Sequence, residues 1–263
     1  MKTVRGSIRK LILILVPALG WAAEQQDFDS RLSEIKNVVS RDYKNFYSLD
    51  NLAWLGAGLG AAALFSHTHA DQGIRDWYQG SLRNCGTDDF SRVVKTFGDR
   101  KSAIPVYAGV ALLGELAGDN RYLSYTGEWG KRSLRTLLAG GPPVLFLQES
   151  LGGNRPEEGD SHWHFFKNNH AVSGHSFLGA VPFLTAAMMV ESPYLKIPLY
   201  LASTLTGLSR INDDAHYFSQ AFLGWWLAYS AAASVEKSNV EKKLTLAPSY
   251  RLDGMAVAAN IKF

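Results

Sequence analysis

The chain has 263 residues, 46% of them hydrophobic and 24 of them glycine, with a formal charge of +3. That is enough apolar material for one sizeable domain or two small ones, and it excludes a chain disordered over most of its length. Four basic residues, Lys2, Arg5, Arg9 and Lys10, fall in the first ten; without them the charge drops by four to −1, so the basic balance belongs to the leader and no nucleic-acid partner is expected.

The leader MKTVRGSIRK is followed by the apolar run LILILVPALG and then WAAEQQD. A basic region, a short apolar core and small residues predict a secretory signal peptide over 1–22, with Gly20 and Ala22 at the small-residue positions before the cut. The apolar core is too short for the roughly 20 residues of a membrane span. The mature protein is then expected to be exported, in the periplasm or on the periplasmic face of a bacterial membrane. Cys85 is the single cysteine, so no internal disulfide forms; it falls in RNCGTDDF, read as a polar loop.

Residues 23–50 read as a polar N-terminal segment with one amphipathic helix around Asp29–Val39. Apolar blocks then recur at Leu52–Phe65, Ile104–Leu116, Leu137–Leu147, Ser176–Val190, Leu195–Leu208 and Ala221–Val235. They are too long for ordinary strands, and Gly/Pro/Asp-rich loops separate them. The expected fold is all-α, a helical bundle of about six core helices over 51–238. Charged residues at most block ends and a near-zero mean hydropathy favour buried helices of a soluble bundle over membrane helices, and leave association with a membrane open. The tail 239–263 differs: LTLAPSYRLDGMAVAANIKF alternates around the turn signal LDG and predicts a short C-terminal β-hairpin.

Three segments concentrate the polar residues inside this apolar frame. They are QESLGGNRP with Gln148 and Arg155, VSGH with Ser173, Gly174 and His175, and SRINDDAHYFSQ with Arg210, His216 and Gln220. His175 opens one helix, the chain turns at ESPY, and the next helix runs back to Arg210. A helix of about 16 residues is about 24 Å long, so nearly equal lengths out and back return the chain to its starting level. His175, Arg210 and His216 should therefore cluster at one end of the bundle. Two guanidinium forks, the free backbone N–H groups of a helix start and a glycine permitting close approach are the parts of an anion site. Two histidines can divide the work of nucleophile and acid/base. Asp213 or Asp214 is expected to cap the helix that follows.

These segments resemble the type 2 phosphatidic acid phosphatase and vanadium haloperoxidase superfamily. Its pattern is Lys, six residues, Arg-Pro; Pro-Ser-Gly-His; and Ser-Arg, five residues, His, three residues, Asp. Arg155-Pro156, Ser173-Gly174-His175, and Ser209-Arg210 with His216 match in order and spacing, over roughly residues 100–236. The resemblance implies that His216 attacks phosphorus to form a phosphohistidine and that His175 protonates the leaving oxygen and then activates water. It implies that Arg155, Arg210, Ser173 and Gly174 hold the phosphoryl oxygens. No metal and no cofactor is expected, and the partner is a phosphorylated small molecule or a lipid phosphate. The chain departs from the pattern at Val172, in place of proline; at Gln148, in place of lysine; and at Gln220, in place of aspartate. Gln148 can still donate to phosphate but carries no charge. Gln220, one helical turn after His216, can accept its N–H and fix the tautomer without stabilising a cationic ring. Lys167 is a candidate for the missing cation.

The other histidines have plainer readings. His162, His164 and His170 in SHWHFFKNNH are expected at a pocket rim rather than on a metal, and His67 and His69 in a helix-end loop. Trp225 and Trp226 are expected to pack. The leading function is a cell-envelope phosphatase acting on a phosphomonoester or pyrophosphate. A vanadate-dependent haloperoxidase and a non-catalytic anion-binding envelope protein are the alternatives.

Overall fold

A computed structural model describes residues 23–116, 118–251 and 254–261. The expected signal peptide, 1–22, lies outside the described residues. The chain divides into two units after Ser40, and the site described below lies wholly in the second.

Nine α-helices make up the described body: α1 (Ala23–Phe46), α2 (Leu49–Ser66), α3 (Ala70–Ser81), α4 (Cys85–Val94), α5 (Arg100–Glu115), α6 (Arg121–Leu151), α7 (Gly174–Met189), α8 (Pro193–Asn212) and α9 (Phe218–Lys243), with a 3₁₀ turn at Lys95–Gly98. The class is all-α, as the apolar blocks predict. Each block falls in a longer helix, with Leu116 and Val190 as C-caps just past α5 and α7, because polar and small residues continue the helix beyond the apolar run. The largest extension is α6, whose apolar block Leu137–Leu147 occupies only its C-terminal half.

Two helices contradict the sequence reading. The stretch taken as a polar loop around Cys85 is α4, and a further polar helix, α3, precedes it. The start of α4 is a capping box: the Asn84 side chain accepts from the Gly86 and Thr87 N–H groups, and Thr87 Oγ1 accepts from the Asn84 N–H at 2.9 Å. Those bonds satisfy donors that an open helix end would leave to water.

The core centres on α7. Phe177, Val181 and Leu184 of α7 are buried with Leu223 and Leu227 of α9, Val144 of α6 and Tyr107 of α5. Burying a side chain of this size is worth about 1.5–3 kcal/mol. At the rim, Asp42 of α1 is buried in a two-pronged pair with Arg135 of α6, at 2.8 and 2.7 Å. After Lys243 the backbone pairs Leu244–Arg251 with Gly254–Ile261 antiparallel, Leu244 opposite Ile261. A two-stranded ribbon is marginal by itself; the fold class rests on the helical body, and the terminal hairpin remains an expectation. Among the described residues no helix is long and apolar enough to cross a membrane.

Candidate anion-binding site

Three chain segments meet at one end of α7. The first is the start of α7 itself. Ser173 is its fully buried N-cap, with Oγ accepting from the Ser176 N–H at 3.3 Å. The Ser173 N–H donates to Gln220 O (2.9 Å), and Ser176 Oγ donates to Ala221 O (2.6 Å), so the starts of α7 and α9 are stitched together. Gly224 of α9 permits this approach, since a Cβ there would overlap Ser173 O. Gln148, in the last turn of α6, donates from Nε2 to Val172 O at 2.7 Å. It braces the segment leading into α7 and has one amide hydrogen left for any other acceptor.

The second segment follows α6. Gly152 and Gly153 adopt φ of +63° and +156°, and side chains at either would collide with the backbone of His164 or Ala171. This turn folds residues 160–171 across the end of α6. It delivers Arg155, which forms a tight turn with Glu158: the Arg155 N–H donates to Glu158 Oε2 and the Glu158 N–H to Arg155 O, both at 2.9 Å.

The third segment is the turn from α8 to α9, which carries Arg210 and His216. Helices α3 and α4 clamp it. Asp214 sits at φ +52° and is gripped by Arg75 through two bonds of 2.6 Å. Asp213 accepts from Ser91 Oγ (2.6 Å), and its Oδ2 takes both Lys95 Nζ and Arg210 Nη1, each at 3.1 Å. Gln79 Nε2 donates to Ile211 O (2.8 Å), and Asn212 Nδ2 to Asp88 Oδ1 (2.8 Å). The Asp213/Asp214 capping expectation is therefore overturned: Asp213 is the C-cap of α8 and both carboxylates face α3, α4 and Arg210. The start of α9 is held instead by the buried carboxylate of Asp71 on α3, which accepts from Ser219 N (2.9 Å) and Ser219 Oγ (2.5 Å).

His216 is 8% exposed and lies beside Gln220. The Gln220 Oε1 faces His216 Nδ1 at 2.8 Å and also accepts from the Tyr217 N–H at 3.2 Å, while its Nε2 donates to Asn154 O at 2.7 Å. A carbonyl on one side and an N–H on the other allow only one orientation of the amide. Its oxygen therefore faces the ring, Nδ1 carries the proton, and Nε2 presents a lone pair. Burial pushes His216 down to about 3; the Gln220 bond opposes this, and Arg210, Arg155 and His170 add to it. The ring is neutral well above that value.

His175 is more exposed than His216. Partial desolvation, then Arg210, and more weakly Arg155 and Lys95, hold it below the usual histidine range, against the pull of Asp99. Both histidines thus feel the same two arginines, which places His175, His216, Arg155 and Arg210 in one electrostatic neighbourhood. The Nε atoms of Arg155 and Arg210 are buried without a hydrogen-bond partner. Burial and Arg155 together press the Arg210 guanidinium down, only partly relieved by Asp213. Two neighbouring cations with buried, unused donors are costly unless an anion satisfies both.

The remaining candidates sort as follows. Lys167 is exposed, and among the described residues no contact joins it to the cluster. Lys95, which no motif singled out, is the lysine whose charge reaches His175, through its place on Asp213. His170 was expected only at the rim, yet its ring centroid is 6.3 Å from that of His216. His164 and His162 lean on Asp160 at 3.2 and 3.8 Å, and His162 stacks on His67. Among the described residues no group of three or more such side chains could hold a metal ion. Trp226 stacks on Trp54, and Trp225 donates to Ser203 Oγ; both pack. Cys85 is exposed at the start of α4, away from these groups.

A family model described as the PAP2 superfamily matches residues 136–242, which contain all three segments. Among solved structures, the chain is similar to a crystal structure described as the first transmembrane PAP2 type phosphatidylglycerolphosphate phosphatase from Bacillus subtilis. The TM-score is 0.55 at 18% identity, covering 73% of this chain and 96% of that one. No curated protein matches. The matched segment carries every residue of the anion cluster, so over residues 136–242 the chain is similar to the PAP2 superfamily, and its helical architecture is similar to that of the solved structure.

Proposed function

We propose that the protein is an exported cell-envelope phosphatase that hydrolyses a phosphomonoester or pyrophosphate through a phosphohistidine. The observation that carries this reading is the pair of buried, unpartnered guanidinium Nε donors beside a histidine locked in its Nδ1–H form. The family and the phosphatase named in the neighbouring structure support phosphatase-type chemistry in general terms.

In the proposed first step His216 Nε2 attacks phosphorus, the bond from phosphorus to the leaving oxygen breaks, and His175 gives that oxygen its proton. In the second step His175 takes a proton from water, the water oxygen attacks phosphorus, and the N–P electron pair returns to Nε2. Arg155, Arg210 and the Gly174 N–H at the α7 start neutralise the phosphoryl oxygens; positioning and charge neutralisation supply most of the catalysis in such transfers. Ser173 shapes the helix start as its N-cap. Gln220 orients His216, and Gln148 braces Val172.

Two features favour a substrate with an apolar group, and association with a membrane surface. A cavity of about 210 Å³ between α7, α8 and α9, lined by Leu208, Ile211, Phe218, Phe222 and Trp225, lies against the segments carrying Arg210 and His175. Leu112 and Leu113 of α5, and Leu195, Ile197 and Leu201 of α8, are exposed. The test is phosphate release from a panel of lipid and soluble phosphoesters by wild type and His216→Ala. Turnover by the wild type that is lost in the variant is expected; a wild type inert across the panel overturns the reading in favour of a non-catalytic anion-binding protein.

A further inference from the structure

His170 has no part in the steps above, and no motif spacing points to it. Yet its ring crosses that of His216 at 73°, at the 6.3 Å separation already noted. It is held in place from two sides. Its backbone N–H donates to Gly153 O (3.3 Å), using the glycine turn that folds 160–171 across the end of α6. Its Nε2 stands 3.9 Å from Glu158 Oε1, while the other oxygen of Glu158 accepts the Arg155 N–H. One carboxylate therefore ties His170 to the backbone of a proposed phosphate-binding arginine. The His170 side chain is 23% exposed, reachable by a ligand and partly desolvated. The charges facing it are Arg155 on one side and Glu157 and Glu158 on the other, with the neutral His216 ring across from it.

Gln148 stands where the resembling family has a lysine, and it spends a donor on Val172 O. The cluster therefore has one fewer cationic donor than its pattern calls for. Among the described residues, His170 is the further donor-bearing ring beside His216, 6.3 Å away between centroids, and His216 Nδ1 is already engaged by Gln220.

We propose that His170 is a substrate-contacting residue of this pocket, donating from its imidazole to a non-bridging oxygen of the phosphoryl group held at His216. The inference rests on the anion-site reading above. Desolvation and Arg155 hold His170 below the usual histidine range against Glu158 and Glu157, so the donor is the N–H of the neutral imidazole. A hydrogen bond to a charged oxygen is worth about ten- to hundredfold in affinity.

Inorganic phosphate and orthovanadate are the probes, with dissociation constants measured by calorimetry for wild type, His170→Ala, His170→Gln and His216→Ala, and Tm recorded for each. His170→Ala should weaken both anions at least tenfold at unchanged Tm. His170→Gln, which keeps a neutral donor, should recover part of the loss, and kcat/KM on a soluble phosphomonoester should fall more than kcat. Wild-type affinity in His170→Ala overturns this inference and leaves the anion site standing. Equal losses in both His170 variants accompanied by a fall in Tm make the residue structural and also overturn it. A wild type that binds neither anion overturns the site and this inference together.

Discussion

The apolar helices α7 to α9 and the polar pair α3 and α4 contribute to the same site in opposite ways. Helices α7 to α9 carry the groups with chemistry to do, among them His175, Arg210 and His216. Helices α3 and α4 carry no motif, yet Asp71, Arg75, Gln79 and Ser91 hold the turn on which Arg210 and His216 ride. In the first region buried donors go unpartnered; in the second nearly every polar group is used. The lesson is a division between residues that act and residues that fix where action occurs. Removing the first kind should cost activity without stability, and removing the second should cost stability first.

The largest effects test the acting side. Arg210→Ala and Arg155→Ala should each lower kcat/KM by about 10²–10³, the loss typical of one oxyanion donor. Because each removes a partly buried cation with an unused Nε, Tm should stay close to wild type, with Arg210→Ala losing only its 3.1 Å pair with Asp213, which keeps Lys95 and Ser91. A fall in Tm matching the loss of activity would erase the distinction between the two regions. Next comes Asp71→Ala on the holding side. It leaves the Ser219 N–H and hydroxyl buried without their acceptor and should cost about 1–3 kcal/mol in chemical denaturation, more if both donors stay dry. Asp71→Asn, keeping one acceptor for the Ser219 N–H, should lose less, and activity per folded molecule should survive.

What could be read from the sequence follows the same line. The bundle was legible because apolar blocks of helical length leave few alternatives. The gathering of His175, Arg210 and His216 was legible because α7 and α8 run out and back by similar lengths. Helices α3 and α4 were not: they are short and polar overall, and the apolar positions of ADQGIRDWYQGS, Ala70, Ile74, Trp77 and Tyr78, stay partly exposed while Asp71 is the residue that is buried. The Asn84–Thr87 capping box, followed by Phe90, Val93 and Val94 at helical spacing, was the local signal for α4. His170 and Lys95 were invisible for a different reason. Their neighbours are set by the Gly152–Gly153 turn and by the shared Asp213 oxygen, contacts between segments that no spacing along the chain encodes.

The two glutamines sharpen the comparison, since they face different surroundings. Gln220 bonds on both sides of its amide, to His216 and to Asn154 O. Gln220→Asp brings a carboxylate but strips the Asn154 carbonyl of its donor and sets like partial charges together. It should lower stability by about 1–3 kcal/mol and fail to raise kcat. Gln148 makes a single donated bond, to Val172 O, which an ammonium can also make. Gln148→Lys should fold normally and tighten phosphate binding. Equal gains from both changes would show that charge alone, not the local bonding, decides what these positions tolerate.

The smallest effect is a displacement along the pH axis. The proposed first step needs His216 neutral and His175 protonated. His216 is neutral above about 3, and His175, desolvated and pressed by Arg210, is protonated only below a value lower than the ordinary 6.5. The window for kcat/KM therefore lies on the acid side, with the descending limb below pH 6.5. Stability moves the other way. The unfolded chain binds a proton at His216 more readily than the folded one, so folding free energy is fully present above about pH 6.5 and is lost as pH falls toward 3. His216→Gln, which has no proton to gain, should flatten that part of the acid loss seen in Tm between pH 7 and 5. An unchanged Tm slope in the variant, together with a wild-type rate that peaks above pH 7, would mean that burial and the arginines do not set the protonation of these two rings.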